Sequence, residues 1–203
     1  MQNHSSSSSY IHVIFGPMFS GKTNELIRII RRFVLAKKRV LVIKYINDQR
    51  YTKETQLLSH DGSNLTTSEF TTIEYINDLS EWLSVNMDRI KSDYDIIAID
   101  EGQFFDDLVH CTDTICSTLE KIVIVSGLLS NSCRLPFVNN QMNILLANAE
   151  SSIQLNAICV VCGSTAAFTK SFVNSDGSNM IGGSDIYFPV CRYHHLNMKV
   201  EDI

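Results

Sequence analysis

Residues 16–23 read GPMFSGKT and match the pattern G-x-x-x-x-G-K-[ST]. They follow a short apolar run, residues 10–15 (YIHVIF), and lead into residues 22–36, where apolar side chains recur at helical spacing. This context makes the pattern restrictive. A glycine loop between a buried strand and a helix is built to hold phosphate. Gly16 and Gly21 let the backbone turn tightly enough for successive N–H groups to converge on an anion. The positive end of the helix adds to that field. The candidate ATP-binding residues are therefore Gly16, Pro17, Met18, Phe19, Ser20, Gly21, Lys22 and Thr23. Lys22 would reach the β- and γ-phosphates, and the Thr23 hydroxyl would serve Mg²⁺.

The rest of the chain continues the alternation of strand and helix. Leu26, Ile29, Ile30, Phe33 and Val34 share one face of the first helix, and Arg28, Arg31 and Arg32 fall mostly elsewhere on a solvated or interface face. Strands are predicted at 39–45, 95–99, 121–125 and 152–158, and helices at 79–90, 104–119 and 140–147. Residues 47–64 are polar, with Asp61-Gly62 as a turn signal. The pattern predicts an α/β fold: a P-loop, mostly parallel sheet with helices on both faces. After Ile158 the rhythm changes to paired metal-ligand residues, glycines and short β-like runs. The expected organisation is a disordered serine-rich tail (1–9), an α/β ATP-binding domain (10–155) and a small C-terminal zinc-binding domain (156–203).

Residues 95–105 read DIIAIDEGQFF, an apolar strand ending in two carboxylates. Parallel strands deliver their C-terminal ends to one crevice, so Asp100 should emerge beside the phosphate loop and hold Mg²⁺. Glu101 is placed to take a proton from an attacking hydroxyl. The pair predicts phosphoryl transfer without choosing the acceptor. A sugar alcohol makes a kinase; water makes a P-loop ATPase or nucleic-acid-remodelling protein.

The net charge of −5 and the lack of a basic, aromatic-rich surface speak against nucleic-acid binding. No apolar stretch approaches the ~20 residues of a membrane helix, and no secretory pattern opens the chain. A cytoplasmic location is expected. Six cysteines in a reducing compartment favour metal binding over disulfides. Cys159, Cys162 and Cys191 cluster with a histidine to make paired C-x₂-C and C-x₂-H knuckles, a Cys₃His zinc site whose four protein ligands make it structural. His194 has the C-x₂-H spacing, and His195 competes for the fourth position. Cys111, Cys116 and Cys133 read as packed thiols, and His12 as a satisfied core histidine in a buried strand.

Together these residues resemble the type II thymidine kinases, a family shared by animals, bacteria and poxviruses. The resemblance is carried by GPMFSGKT (16–23), LVIKYINDQRY (41–51), HDG (60–62), IDEGQFF (99–105), PF (136–137), CVVC (159–162), AFTK (167–170) and IGGSDIY (181–187). It implies an ATP-binding domain and a zinc-bearing domain whose lasso loop closes over thymidine, in a homotetramer or a homodimer. It implies that Glu101 is the catalytic base. It adds Asp48, Gln49 and Arg50 to the ATP-binding residues. Met18, Phe104, Leu128, Thr169 and Tyr187 become substrate-binding residues. Ser178, Asn179, Met180, Ile181 and Gly182 form the lasso stretch whose backbone reads the base. The sequence departs from the family where His194 replaces the usual cysteine. It departs again in SGLLSNSC (126–133), where Leu129, Ser130 and Ser132 replace an Asp-Gly pair and an aromatic residue. That loop borders the base pocket, so it bears on the choice between thymidine and deoxyuridine. The chain is also expected to lack the longer regulatory tail of some relatives.

Overall fold

A computed structural model describes residues 9–46, 56–58, 64–171 and 186–199. The chain runs β1 (Ile11–Phe15), α1 (Lys22–Leu35), β2 (Val40–Tyr45), β3 (Gln56–Leu58), β4 (Asn64–Thr66), β5 (Thr71–Ile76), α2 (Leu79–Asp93) and β6 (Ile96–Ile99). After a 3₁₀ turn (Gly102–Phe104) come α3 (Leu108–Asp113), a π-helical turn (Thr114–Thr118), β7 (Ile122–Gly127), α4 (Gln141–Asn148) and β8 (Ser151–Gln154). The C-terminal part holds β9 (Ala157–Ile158), β10 (Thr165–Ala166), β11 (Phe168–Ser171), β12 (Tyr187–Val190) and α5 (Arg192–Asn197).

Six strands form one sheet in the order β5-β2-β6-β7-β1-β8, and every pairing in it is parallel. The continuous apolar runs of β2, β6 and β7 suit strands covered on both faces. Alternate residues of each strand go to opposite cores. Val13, Leu41, Ile43, Ile97, Ile99, Val123 and Val125 pack with Leu79, Leu83 and Ile90 of α2, Leu108 and Cys111 of α3, and Met142 and Leu145 of α4. Ile14, Val40, Val42, Ile96, Ala98 and Ile124 pack with Leu26, Ile27 and Ile30 of α1. Among the described residues, helices therefore cover both faces, three on one and a single helix on the other. Each fully buried Leu or Ile contributes about 1.5–3 kcal/mol by leaving water.

Local signals explain the helix ends. Asp78 is extended and its carboxylate accepts from the Glu81 N–H at 2.8 Å, capping α2. Gly21 opens α1 at φ 84°, a left-handed conformation that suits glycine.

Three expectations change. The helix expected over 104–119 is broken into the 3₁₀ turn, α3 and the π turn, because the chain must reverse after β6 before it packs again on the sheet. The strand expected over 152–158 divides at residues 155 and 156: β8 joins the main sheet, whereas β9 pairs with β10 in a separate ribbon. The sixth strand, β5, was not expected at all. Its polar Thr72 and Glu74 interrupt the apolar signal, as an edge strand with one partner allows.

Beyond residue 156 the small ribbons β9-β10 and β11-β12 enclose a core of Ala157, Cys159, Ala166, Val190 and Met198. The serine-rich tail (1–8), the polar stretches 47–55 and 59–63 with Asp48, Gln49, Arg50 and Asp61-Gly62, and the segment 172–185 with Ser178, Asn179, Met180, Ile181 and Gly182 lie outside the described residues.

Candidate active site

The C-terminal ends of β1, β6 and β7 meet at the phosphate loop. Gly16 lies so close to the neighbouring chain that a Cβ there would come 2.3 Å from the Leu155 carbonyl oxygen and 2.7 Å from Ser20 Oγ. Only glycine permits that approach. Lys22 is buried, and its Nζ donates to the Pro17 carbonyl at 2.8 Å, folding back over the loop. Ser20 Oγ is buried and makes no hydrogen bond among the described residues. A buried hydroxyl without a partner is costly, and at this place it suits a loop shaped for a polar ligand.

Asp100 follows β6 directly and is only 3% exposed. Its Oδ1 accepts from Ser126 Oγ at 2.5 Å, and its Oδ2 from Thr23 Oγ1 at 3.4 Å. Parallel registry produces this meeting, since β6 lies beside β7, which lies beside β1. The carboxylate and the Thr23 hydroxyl make a pair of hard oxygen donors of the type Mg²⁺ prefers. Ser126 was foreseen only as part of an unusual loop, not as the partner that holds Asp100.

Glu101 adopts a left-handed backbone, φ 56° and ψ 45°, and is half-buried. This conformation is uncommon outside glycine, and it turns the chain out of the strand into the 3₁₀ turn. Gln103 Nε2 donates to Glu101 Oε2 at 2.5 Å. Phe104 is stacked on Tyr45, ring centroids 5.1 Å apart, and Tyr45 meets Phe105 edge-on at 5.6 Å. An aromatic wall thus stands next to the carboxylates.

Among the residues expected to border a substrate, Thr169 is bonded directly to the phosphate loop. The Met18 N–H donates to Thr169 Oγ1 at 2.9 Å, so β11 is fastened to the phosphate loop. Leu128 follows β7, and its N–H donates to Gln103 Oε1 at 2.9 Å. Tyr187 is buried and pairs with Ser171 across β11-β12.

Cys159, Cys162, Cys191 and His194 offer ligand atoms that all lie within 4.8 Å of one another. His194 Nδ1 stands 3.4 Å from Cys159 Sγ and 3.3 Å from Cys191 Sγ. Burial would push the Cys159 thiol up, yet main-chain donors at Cys191, Cys162 and Val161 bring it down to about 6. Three soft thiols and one imidazole in this arrangement are compatible with tetrahedral zinc. His195 does not join them. Its Nε2 lies 2.9 Å from the Ser132 carbonyl, to which a ring N–H donates.

Of the remaining cysteines, Cys111 and Cys116 are packed, and burial pushes the Cys111 thiol up to about 11. Cys133 is only partly buried. His12 is partnered by Ser151, Nδ1 to Oγ 2.7 Å. Gln103, Asn139 and Asn143 were missed by sequence reasoning. Asn139 Nδ2 donates to the Gln103 carbonyl at 3.1 Å, and Asn143 Nδ2 to the Leu129 carbonyl at 2.9 Å. An uncharged amide inside an apolar run, as in GQFF, was the available signal for Gln103.

A family profile described as thymidine kinase matches residues 9–195. The chain is 40% identical over 185 residues to Thymidine kinase 1 of Dictyostelium discoideum, covering 90% of this chain and 75% of that protein. It is 39% identical over 194 residues to the thymidine kinase of Yaba monkey tumor virus, covering 96% and 98% of the two chains. Vaccinia virus thymidine kinase (strain Western Reserve) is 39% identical over 188 residues, covering 93% and 97%.

Proposed function

The chain belongs to the thymidine kinase family, and from that premise we propose that it transfers the γ-phosphate of ATP to the 5′-hydroxyl of thymidine, giving dTMP and ADP. The observation that carries this reading is the convergence of Thr23, Asp100 and Ser126, with Glu101 one residue beyond. Deoxyuridine is the second substrate to consider.

The residues divide the work. Glycine-loop N–H groups and Lys22 bind the phosphates and offset charge that develops in the transition state. Thr23 and Asp100 would hold Mg²⁺, which when bound neutralises phosphate charge. Glu101 accepts the 5′-hydroxyl proton as the sugar oxygen bonds to the γ-phosphorus and the bond to the β-phosphate oxygen breaks. Asp48, Gln49 and Arg50 would add to the ATP site. Phe104, Met18, Leu128, Thr169 and Tyr187 would border the nucleoside. Residues 178–182 would close over the base and exclude water.

Cys159, Cys162, Cys191 and His194 would bind zinc with no open position, in a structural role within a small domain from about residue 156. To the same reading we attach a homotetrameric or homodimeric assembly and a cytoplasmic location. Among the described residues no helix is long and apolar enough to cross a membrane.

The test is to incubate the protein with Mg·ATP and single nucleosides and to assay 5′-monophosphates. Thymidine should give dTMP. In Glu101→Gln, ATP should still bind while transfer falls by about 10²–10⁴-fold. ADP release without any nucleoside monophosphate would instead identify an ATPase.

A further inference from the structure

Gln103 is 2% exposed, and a buried primary amide has to find partners for both its ends. Those partners lie on two different parts of the site. Nε2 donates to Glu101 Oε2 at 2.5 Å, and Oε1 accepts from the Leu128 N–H at 2.9 Å. One planar group therefore spans from the carboxylate after β6 to the first residue after β7. Its own backbone is held in turn, because its carbonyl accepts from Asn139 Nδ2.

The surroundings are shaped to admit this amide. A Cβ on Gly127 would come 2.7 Å from Gln103 Oε1 and 2.9 Å from Met142 Cε. Any larger residue at 127 would displace the amide oxygen from the Leu128 N–H. The neighbouring Gly102 faces Val125, Met142 and Leu108, all apolar.

We propose that Gln103 is a positioning residue for phosphoryl transfer: a single amide sets both the orientation of the Glu101 carboxylate and the placement of Leu128 beside the nucleoside. The inference rests on the function proposed above. A carboxylate held at one oxygen has a fixed rotation about its terminal torsion, which is broad when unheld. An amide supplies that hold without a positive charge, so it lowers the basicity of the carboxylate less than a nearby cation would. Because the same amide fixes Leu128, the proton acceptor and the wall of the base pocket share one point of reference. A base that pushed against Leu128 would be felt at Glu101 as lost rate rather than lost binding alone.

Two variants separate the two ends. Gln103→Glu keeps an acceptor for the Leu128 N–H and replaces the neutral amide donor by a second carboxyl group that competes with Glu101 for a proton. Gln103→Met removes both acceptor and donor. In Gln103→Glu, kcat should fall by about tenfold or more while the KM for thymidine stays within about threefold of wild type. In Gln103→Met, kcat should fall similarly and the KM for thymidine should also rise about tenfold. The KM for ATP should stay unchanged in both. Amide hydrogen exchange in the unliganded protein gives a readout apart from activity: Leu128 should remain protected in wild type and Gln103→Glu, and open in Gln103→Met. Wild-type kcat in both variants would overturn the proposal. So would unchanged Leu128 exchange in Gln103→Met with an active wild type. A wild-type protein that phosphorylates no nucleoside would overturn the functional reading and the catalytic half of this proposal together.

Discussion

The bond from the Met18 N–H to Thr169 Oγ1 joins residues 151 positions apart, and replacing Thr169 by valine removes it with almost no change in shape. Both residues are buried, 7% exposed each, so water does not readily replace the lost acceptor. The Met18 amide is left unsatisfied, which costs about 1–3 kcal/mol. Valine fills the threonine volume, so no cavity adds to that cost. For a chain of 203 residues, each kcal/mol lowers Tm by about 2–4 °C. The expected loss is therefore about 2–12 °C. Thr169→Ser keeps the hydroxyl and deletes one methyl group, a loss of about 0.8 kcal/mol or somewhat more. Urea unfolding of the three proteins, with zinc held constant, gives the comparison. If Thr169→Val lies within about 0.5 kcal/mol of wild type, the bond does not contribute as argued. If Thr169→Ser is the less stable variant, packing rather than hydrogen bonding dominates.

Other perturbations test separate parts of the structure. Cys159→Ser should release about one zinc per chain, seen by metal analysis, and lower Tm, since metal binding there is coupled to folding. Gly16→Ala should weaken ATP binding measured by calorimetry, because its Cβ would meet the Leu155 carbonyl oxygen at 2.3 Å. An unchanged affinity would contradict the close approach. The Cys111 thiol is raised from 9.0 to about 11 by burial. The folded state therefore keeps its proton where the unfolded chain loses it. Its contribution to stability is complete below about pH 9 and declines as pH rises toward about 11. Cys111→Val should flatten that part of the stability–pH curve.

The α/β architecture was legible because its central strands are uninterrupted apolar runs and α1 carries a clear apolar stripe. The phosphate loop and the acidic strand end were legible for a different reason: their chemistry demands particular residue types at fixed spacing. Parallel topology alone then brings Asp100 to Thr23. What the sequence concealed depends on tertiary partners. β5 is a strand because β2 offers it an edge, although Thr72 and Glu74 mask its pattern. The break before α3 had a signal in Asp107, a helix-starting residue just before Leu108. That carboxylate accepts from the Ser80 N–H at 2.8 Å rather than capping its own helix. The choice between His194 and His195 was open from spacing. It is decided by where α5 turns each ring, one toward the cysteines and the other toward Ser132.

The strand order has a consequence for synthesis. β1 leaves the ribosome more than a hundred residues ahead of β7 and β8, its two neighbours in the sheet. The nascent chain therefore carries its nucleotide cradle unsupported until β7 and β8 have emerged. The order of assembly follows from this: β2, β5 and β6 can pair early, while the cradle is completed only when β8 and then Thr169 emerge. Such late, long-range closure slows folding and leaves apolar strand edges exposed meanwhile. ATP binding is then a property that the growing polypeptide acquires only once β8 and β11 have emerged.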